Sequence, residues 1–203
     1  MIYLGIPAWA RECEQIENWS GLGPARAARL VQFGPMSFYY WNCDKYVAAY
    51  GGNVIYGWQI VAVPGLFAKA LHHAVVEAED GSLVDPTDPY GVHTGETTIL
   101  LDNSLQPARD YPPLYSNKYL PFSEQGANAC RLVRDAEEDQ LEICRRLNAI
   151  AKSQGIEWSP EEYRGPDLTE EVHFLHDAYA ETQQRISAAY DFCRSILDAN
   201  KSS

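Results

Sequence analysis

Residues 53–86 constrain this chain's fold more than any other stretch. β-Branched and aromatic residues crowd positions 53–63 (Val54, Ile55, Tyr56, Trp58, Ile60, Val61, Val63), and Pro64-Gly65 ends the run. That pattern predicts a strand. A second strand is predicted over 71–78, Asp80-Gly81 supplies a tight hairpin turn, and Ser82–Pro86 begins a third. Residues 97–101 (TTILL) are a candidate fourth. Hairpin-linked strands pair antiparallel, so the centre of the molecule is expected to be an antiparallel sheet of about three to five strands.

Helical signals flank this sheet. Residues 1–22 are irregular apart from a short amphipathic piece around 9–18. Pro24 suits the first turn of a helix over PARAARLVQF, closed by Gly34-Pro35. Asn42 has the chemistry of an N-cap, which places Cys43 in a first helical turn, with Gly51-Gly52 at the other end. Residues 102–122 form a Pro-, Tyr- and Asn-rich connector expected to be extended. The last third reads as two helices, 124–153 and 168–199, broken over 155–167 at Pro160 and Pro166. In the second helix Val172, Leu175, Tyr179, Thr182, Ile186, Ala189, Cys193 and Ile196 recur in alternating steps of three and four, a heptad seam. The expectation is an α+β fold with a core over 1–122 and a helical hairpin extension over 123–203.

With 203 residues, 46% of them hydrophobic, the chain has material for a packed core. Its net charge of −12 argues against a nucleic-acid backbone or an anionic membrane as the main partner. No apolar run approaches the roughly 18–20 residues that span a bilayer. The N-terminal MIYLGIPAWARECEQ lacks a basic segment followed by a long apolar one, so no secretory signal is read there. Five cysteines (13, 43, 130, 144 and 193) without a Cys-x-x-Cys pair read as reduced thiols, and cytoplasmic placement is the expectation. Cys144 and Cys193 lie on apolar helical faces and read as small hydrophobes.

The chemistry-bearing residues are Cys43, His73 and Asp85, in that order. A thiolate attacks a carbonyl, an imidazole moves the proton, and a carboxylate orients the imidazole. A helix N-terminus lowers a thiol's pKa and offers N–H groups to a developing oxyanion. On a regular strand His73, Val75 and Glu77 share one face and His72, Ala74 and Val76 the other. Counted from the hairpin turn, Asp85 does not fall directly opposite His73, so a bulge or a diagonal contact is required.

The strings His73-Ala74-Val75-Val76-Glu77 and Val84-Asp85-Pro86-Thr87 resemble the transglutaminase-like core of the papain-like cysteine enzymes over about residues 38–90. Val75 stands where that family carries an aromatic residue. The resemblance implies Cys43 as nucleophile, His73 as base and Asp85 as the orienting carboxylate. It implies acyl transfer or hydrolysis at an amide bond (protease, deamidase or transglutaminase type) with no organic cofactor. The acidic surface and aromatic-rich surroundings favour a protein or peptide substrate, with Tyr40, Trp41 and Trp58 as candidate groove residues.

Other readings stand beside this one. Cys43 and the aromatic run FYYW also suit a core, His72 a flanking position, and the Asp-Pro pairs at 85–89, Asp88 included, suit turns. A non-catalytic interaction module would dock a partner, or a second copy, through the heptad helix at 168–199. A structural metal domain would draw on Cys43, His72 or His73, and Asp85. His173 and His176 are one helical turn apart but have no third ligand at motif spacing, so no metal site is assigned.

Overall fold

A computed structural model describes residues 4–5, 10–34, 38–87, 95–104, 106–107, 114–157 and 165–201. Pro35, Asp88, Pro112, Pro113 and Pro160 lie outside the described residues. The elements are β1 (Leu4–Gly5), α1 (Arg11–Ser20), β2 (Ala25–Leu30), α2 (Tyr39–Tyr50), β3 (Asn53–Val63), β4 (Phe67–Glu77), β5 (Leu83–Asp85), β6 (Glu96–Leu101), β7 (Lys118–Pro121), α3 (Glu124–Ser153) and α4 (Glu170–Lys201). The fold is α+β.

The long β3–β4 hairpin dominates the sheet, with Asn53 opposite Glu77 and Val63 opposite Phe67. The turn read at Asp80-Gly81 links β4 to β5, and Gly81 adopts φ 78°, which a side chain would oppose. The sheet is larger than the sequence predicts. Seven strands run in the order β1-β3-β6-β2-β5-β4-β7, and the β3–β4 pairing closes five of them into a barrel. One pair, β2–β5, is parallel.

Closure follows from a correction. PARAARLVQF does not form a helix, because Ala25–Leu30 is strand β2, paired with β5 on one side and β6 on the other. Its Ala and Arg residues carry helix propensity, but burial between two strands outweighs a few tenths of a kcal/mol per residue (order of magnitude). Ala28 is fully buried in the barrel with Val75, Leu83 and Ile99. The small methyl group leaves volume for the three larger side chains that meet it.

The helical hairpin packs on the far end of the β3–β4 hairpin. Val61, Val63, Leu66 and Phe67 form one cluster with Ala129, Cys130 and Val133 of α3 and Ala189, Cys193 and Ile196 of α4. Six of the eight heptad positions of α4 are buried within the chain, Val172, Leu175, Thr182, Ala189, Cys193 and Ile196, whereas Ile186 is half-buried and Tyr179 is exposed. α3 starts at Ser123, whose hydroxyl accepts from the Gly126 N–H at 3.0 Å. Gly126 must be a glycine, because a Cβ there would lie 1.9 Å from the Leu66 carbonyl oxygen. Among the described residues no helix is long and apolar enough to cross a membrane.

Candidate active site

α2 begins one turn earlier than the sequence predicts. Phe38 is the N-cap residue and makes no side-chain cap, and Asn42 lies inside the helix with its N–H donating to the Phe38 carbonyl at 2.8 Å. Cys43 consequently sits in the second turn. The aromatic run lengthens the helix because Tyr39 and Tyr40 find partners on β4, so the capping propensity of Asn42 is overridden. The N–H of Asn42 is committed to the helix and is not available to an oxyanion beside the thiol.

The imidazole and the carboxylate meet. His73 Nε2 lies 2.8 Å from Asp85 Oδ2, and both side chains are buried. Because β4 and β5 pair with Val76 opposite Val84, Asp85 falls opposite Val75 and reaches His73 on the diagonal. The second carboxylate oxygen, Oδ1, accepts the Thr87 N–H at 2.9 Å. A carboxylate only accepts, so His73 Nε2 carries the shared proton, and in the neutral tautomer the lone pair lies on Nδ1. A buried carboxylate is tolerable here because both oxygens are bonded.

This pair occupies one mouth of the barrel. His73 faces inward with Val75, and the residue opposite it on β3 is Gly57. Gly57 is required by the approach of β6, because a Cβ would stand 2.2 Å from the Leu100 carbonyl oxygen. Gln59 Nε2 donates to Thr97 Oγ1 at 2.7 Å on the same inward faces. Behind them, Ala28, Val75, Leu83 and Ile99 fill the barrel.

α2 docks at a gap in the sheet. On the edge away from β3, β4 pairs with β7 over 67–70 and with β5 over 76–77. Among the described residues, 71–75 have no strand on that edge. The first turns of α2 lie against this stretch. The Tyr39 ring centroid is 4.8 Å from that of His73, and the Tyr40 hydroxyl is 2.6 Å from His72 Nδ1. Asn42 Nδ2 donates to Thr87 Oγ1 at 2.5 Å.

Cys43 is fully buried in a cluster with Tyr40, Tyr56, Ala74 and Val76. Ala74 and Val76 lie on the outer face of β4, whereas His73 and Val75 face inward. The thiol therefore packs over the strand from outside while the His73–Asp85 pair lies within. Tyr39, Asn42 and Cys43 are spaced i, i+3, i+4 and share one helix face, and that face reaches around the open edge to His73 and Thr87.

The remaining candidates divide by burial. Trp58 is buried, its indole N–H donates to Asp102 Oδ2 at 2.8 Å, and Lys118 Nζ sits 4.3 Å from its ring centroid. Tyr40 is buried against His72, and burial raises its hydroxyl pKa far above the ordinary tyrosine value. Trp41 is half-buried, edge-on to Phe38 and Tyr40. His72 is boxed by Tyr40, Tyr56, Trp58 and Tyr115. Among the described residues no three His, Cys, Asp or Glu side chains gather as metal ligands.

Sequence reasoning missed the roles of Tyr39, Asn42 and Thr87. Thr87 was within reach, as it closes the Val-Asp-Pro-Thr string two residues after Asp85. No family model, curated protein or solved structure matches this chain.

Proposed function

We propose that this protein is a cysteine-dependent enzyme that transfers or hydrolyses an acyl group at an amide bond of a protein or peptide, on a transglutaminase-like core. Cys43 is the nucleophile, His73 the proton carrier and Asp85 the group that orients it. The observation that supports this most is the buried His73–Asp85 hydrogen bond on the two strands beside the Cys43 helix. The order α2-β3-β4-β5, with β3, β4 and β5 antiparallel neighbours, agrees with the resemblance read from the two strings.

The chemistry follows from the tautomer. Cys43 packs on the outer side of β4, so in this reading its proton passes to His73 Nδ1 around the open edge of that strand, and Asp85 stabilises the imidazolium that forms. The thiolate sulfur bonds to the amide carbonyl carbon, and the C–N bond breaks as His73 returns the proton to the leaving amine. A thioester remains on Cys43, and water or an amine displaces it with His73 again as the base.

The other thiols make the test selective. Burial pushes the Cys13 thiol up to about 12 and the Cys130 thiol up to about 11, and it also raises those of Cys144 and Cys193. At pH 6 a thiol with a pKa of 11 is ionised in only about one molecule in 10⁵, against about 0.3% for an ordinary cysteine. Cys43 is itself fully covered, so the reagent reaches it through local opening; iodoacetamide at pH 6, followed by intact mass and peptide mapping over time, is expected to add the first carbamidomethyl group at Cys43. His73→Ala is expected to slow that addition. Equal, slow modification of all five cysteines would overturn the reading.

A further inference from the structure

We infer that Thr87 and Asn42 are positioning residues that lock the Cys43 helix to the His73–Asp85 pair; the inference rests on the cysteine-enzyme reading. Four residues on three elements and the segment after β5 form one chain of hydrogen bonds that passes through the backbone of Thr87. His73 Nε2 bonds Asp85 Oδ2 at 2.8 Å, Asp85 Oδ1 takes the Thr87 N–H at 2.9 Å, and Thr87 Oγ1 takes Asn42 Nδ2 at 2.5 Å. Asn42 is the residue before Cys43.

Every member is buried. His73 and Asn42 are each 2% exposed, and Asp85 and Thr87 are fully covered. Bulk water therefore does not replace a broken link, and a buried donor left without its acceptor costs more than the bond is worth in solution. The enclosure is tight on the far side of Asn42 as well. A Cβ at Gly34 would lie 1.9 Å from Asn42 Oδ1, and the Gly34 N–H donates to the Pro86 carbonyl at 3.3 Å. The segment carrying Thr87 is held to β2 by the Val31 N–H, which donates to the Asp85 carbonyl at 2.8 Å.

The function of such a tie is geometric. α2 meets the sheet where, among the described residues, β4 has no neighbouring strand over 71–75, so no backbone ladder among them sets its height against His73. The Asn42–Thr87 bond supplies that reference next to the thiol. Proton transfer between sulfur and imidazole depends steeply on alignment, and a misplacement of about 1 Å can cost on the order of a hundredfold in rate.

The test compares Thr87→Val with Thr87→Ser, by the pH profile of Cys43 alkylation in the full-length protein with iodoacetamide as the probe. Valine keeps the shape and removes the hydroxyl, whereas serine keeps the hydroxyl. Thr87→Val is expected to move the Cys43 midpoint up by about one pH unit, about a tenfold loss of thiolate at pH 6. Thr87→Ser is expected to restore the wild-type profile, which a role in stability alone would not require. Should Thr87→Val fail to fold, Asn42→Ala removes the donor and is expected to move the midpoint in the same direction. A folded Thr87→Val with the wild-type profile overturns this inference and leaves the enzyme reading standing. A wild-type Cys43 that titrates as an ordinary thiol and ignores His73→Ala overturns both.

Discussion

Glu137→Ala tests how the helical hairpin is held on the barrel. Lys69 projects from β4, is 4% exposed, and places Nζ 2.8 Å from Glu137 Oε1 on α3. The same carboxylate accepts from Asn117 Nδ2 at 2.9 Å, the Tyr119 hydroxyl at 2.5 Å and the Tyr190 hydroxyl at 2.9 Å. One side chain thus joins β4, β7 with its approach, α3 and α4. Desolvation lowers the Lys69 pKa despite the attraction of Glu137, so the ammonium depends on its partner to remain charged. Removing the carboxylate takes away the charge that compensates the ammonium, which costs about 3–5 kcal/mol in buried pairs. Lys69, Asn117, Tyr119 and Tyr190 all line a cleft of about 640 Å³, so water can satisfy the freed neutral donors, whereas the ammonium, only 4% exposed, keeps most of its desolvation cost. Against a total stability of roughly 5–15 kcal/mol, the loss is large.

The double variant carries the discrimination. Lys69→Met/Glu137→Ala removes the stranded charge and is expected to recover about 1–3 kcal/mol relative to Glu137→Ala alone. Lys69→Met by itself is expected to be milder than Glu137→Ala, because Glu137 keeps three neutral donors. Urea unfolding at pH 7 with a constant slope reads all three as shifts in midpoint. A double variant as unstable as the sum of the two singles would refute the argument that the cost is a buried ammonium deprived of its carboxylate.

Other outcomes follow from the same structure. Stability is expected to hold from pH 7 to about 8.5 and to fall above pH 9. The folded-state pKa values of Cys13 and Cys130 stand at about 12 and about 11 against about 8.5 for an ordinary thiol, and those of Tyr119 and Tyr190 are also raised. The unfolded chain then loses protons first, and each such group costs up to about 1.4 kcal/mol per pH unit until it ionises in the fold. An unchanged urea midpoint between pH 8 and 11 would contradict this. Gly126→Ala drives a Cβ to 1.9 Å from the Leu66 carbonyl and is expected to lower the melting temperature by about 3–10 °C, read by circular dichroism. Lys118→Met removes the cation over Trp58 and one charge near Asp102. Only about 0.5–1 kcal/mol is expected from that partly exposed contact.

How much of this was legible depended on whether the signal was local. β3 ends where Pro64-Gly65 says it must, and α3 covers the expected 124–153. Counting residues about one turn left a bulge or a diagonal contact between His73 and Asp85, and the strand register makes it the diagonal. β2 was misread because an Ala- and Arg-rich string is helical by propensity, and only its two distant neighbours make it a strand. Barrel closure depends on that strand and was hidden with it. Asn42 was assigned as a cap by residue type, yet its amide is used across 45 residues by Thr87. Lys69 sits in an apolar string that gives no hint of a carboxylate 68 residues away. The sides taken by Cys43 and His73 on β4 required knowing where α2 docks, and the open edge of a strand is a tertiary fact.

The central claim is that His73 activates Cys43. Thiolate absorbance at 240 nm, titrated from pH 4 to 9 in the wild type, in Cys43→Ala and in His73→Ala, tests it directly. The account predicts a step near or below pH 7 in the wild type that vanishes in Cys43→Ala and moves toward an ordinary thiol pKa of about 8.5 in His73→Ala. No step below pH 8 in the wild type, or a step that His73→Ala leaves in place, would contradict it.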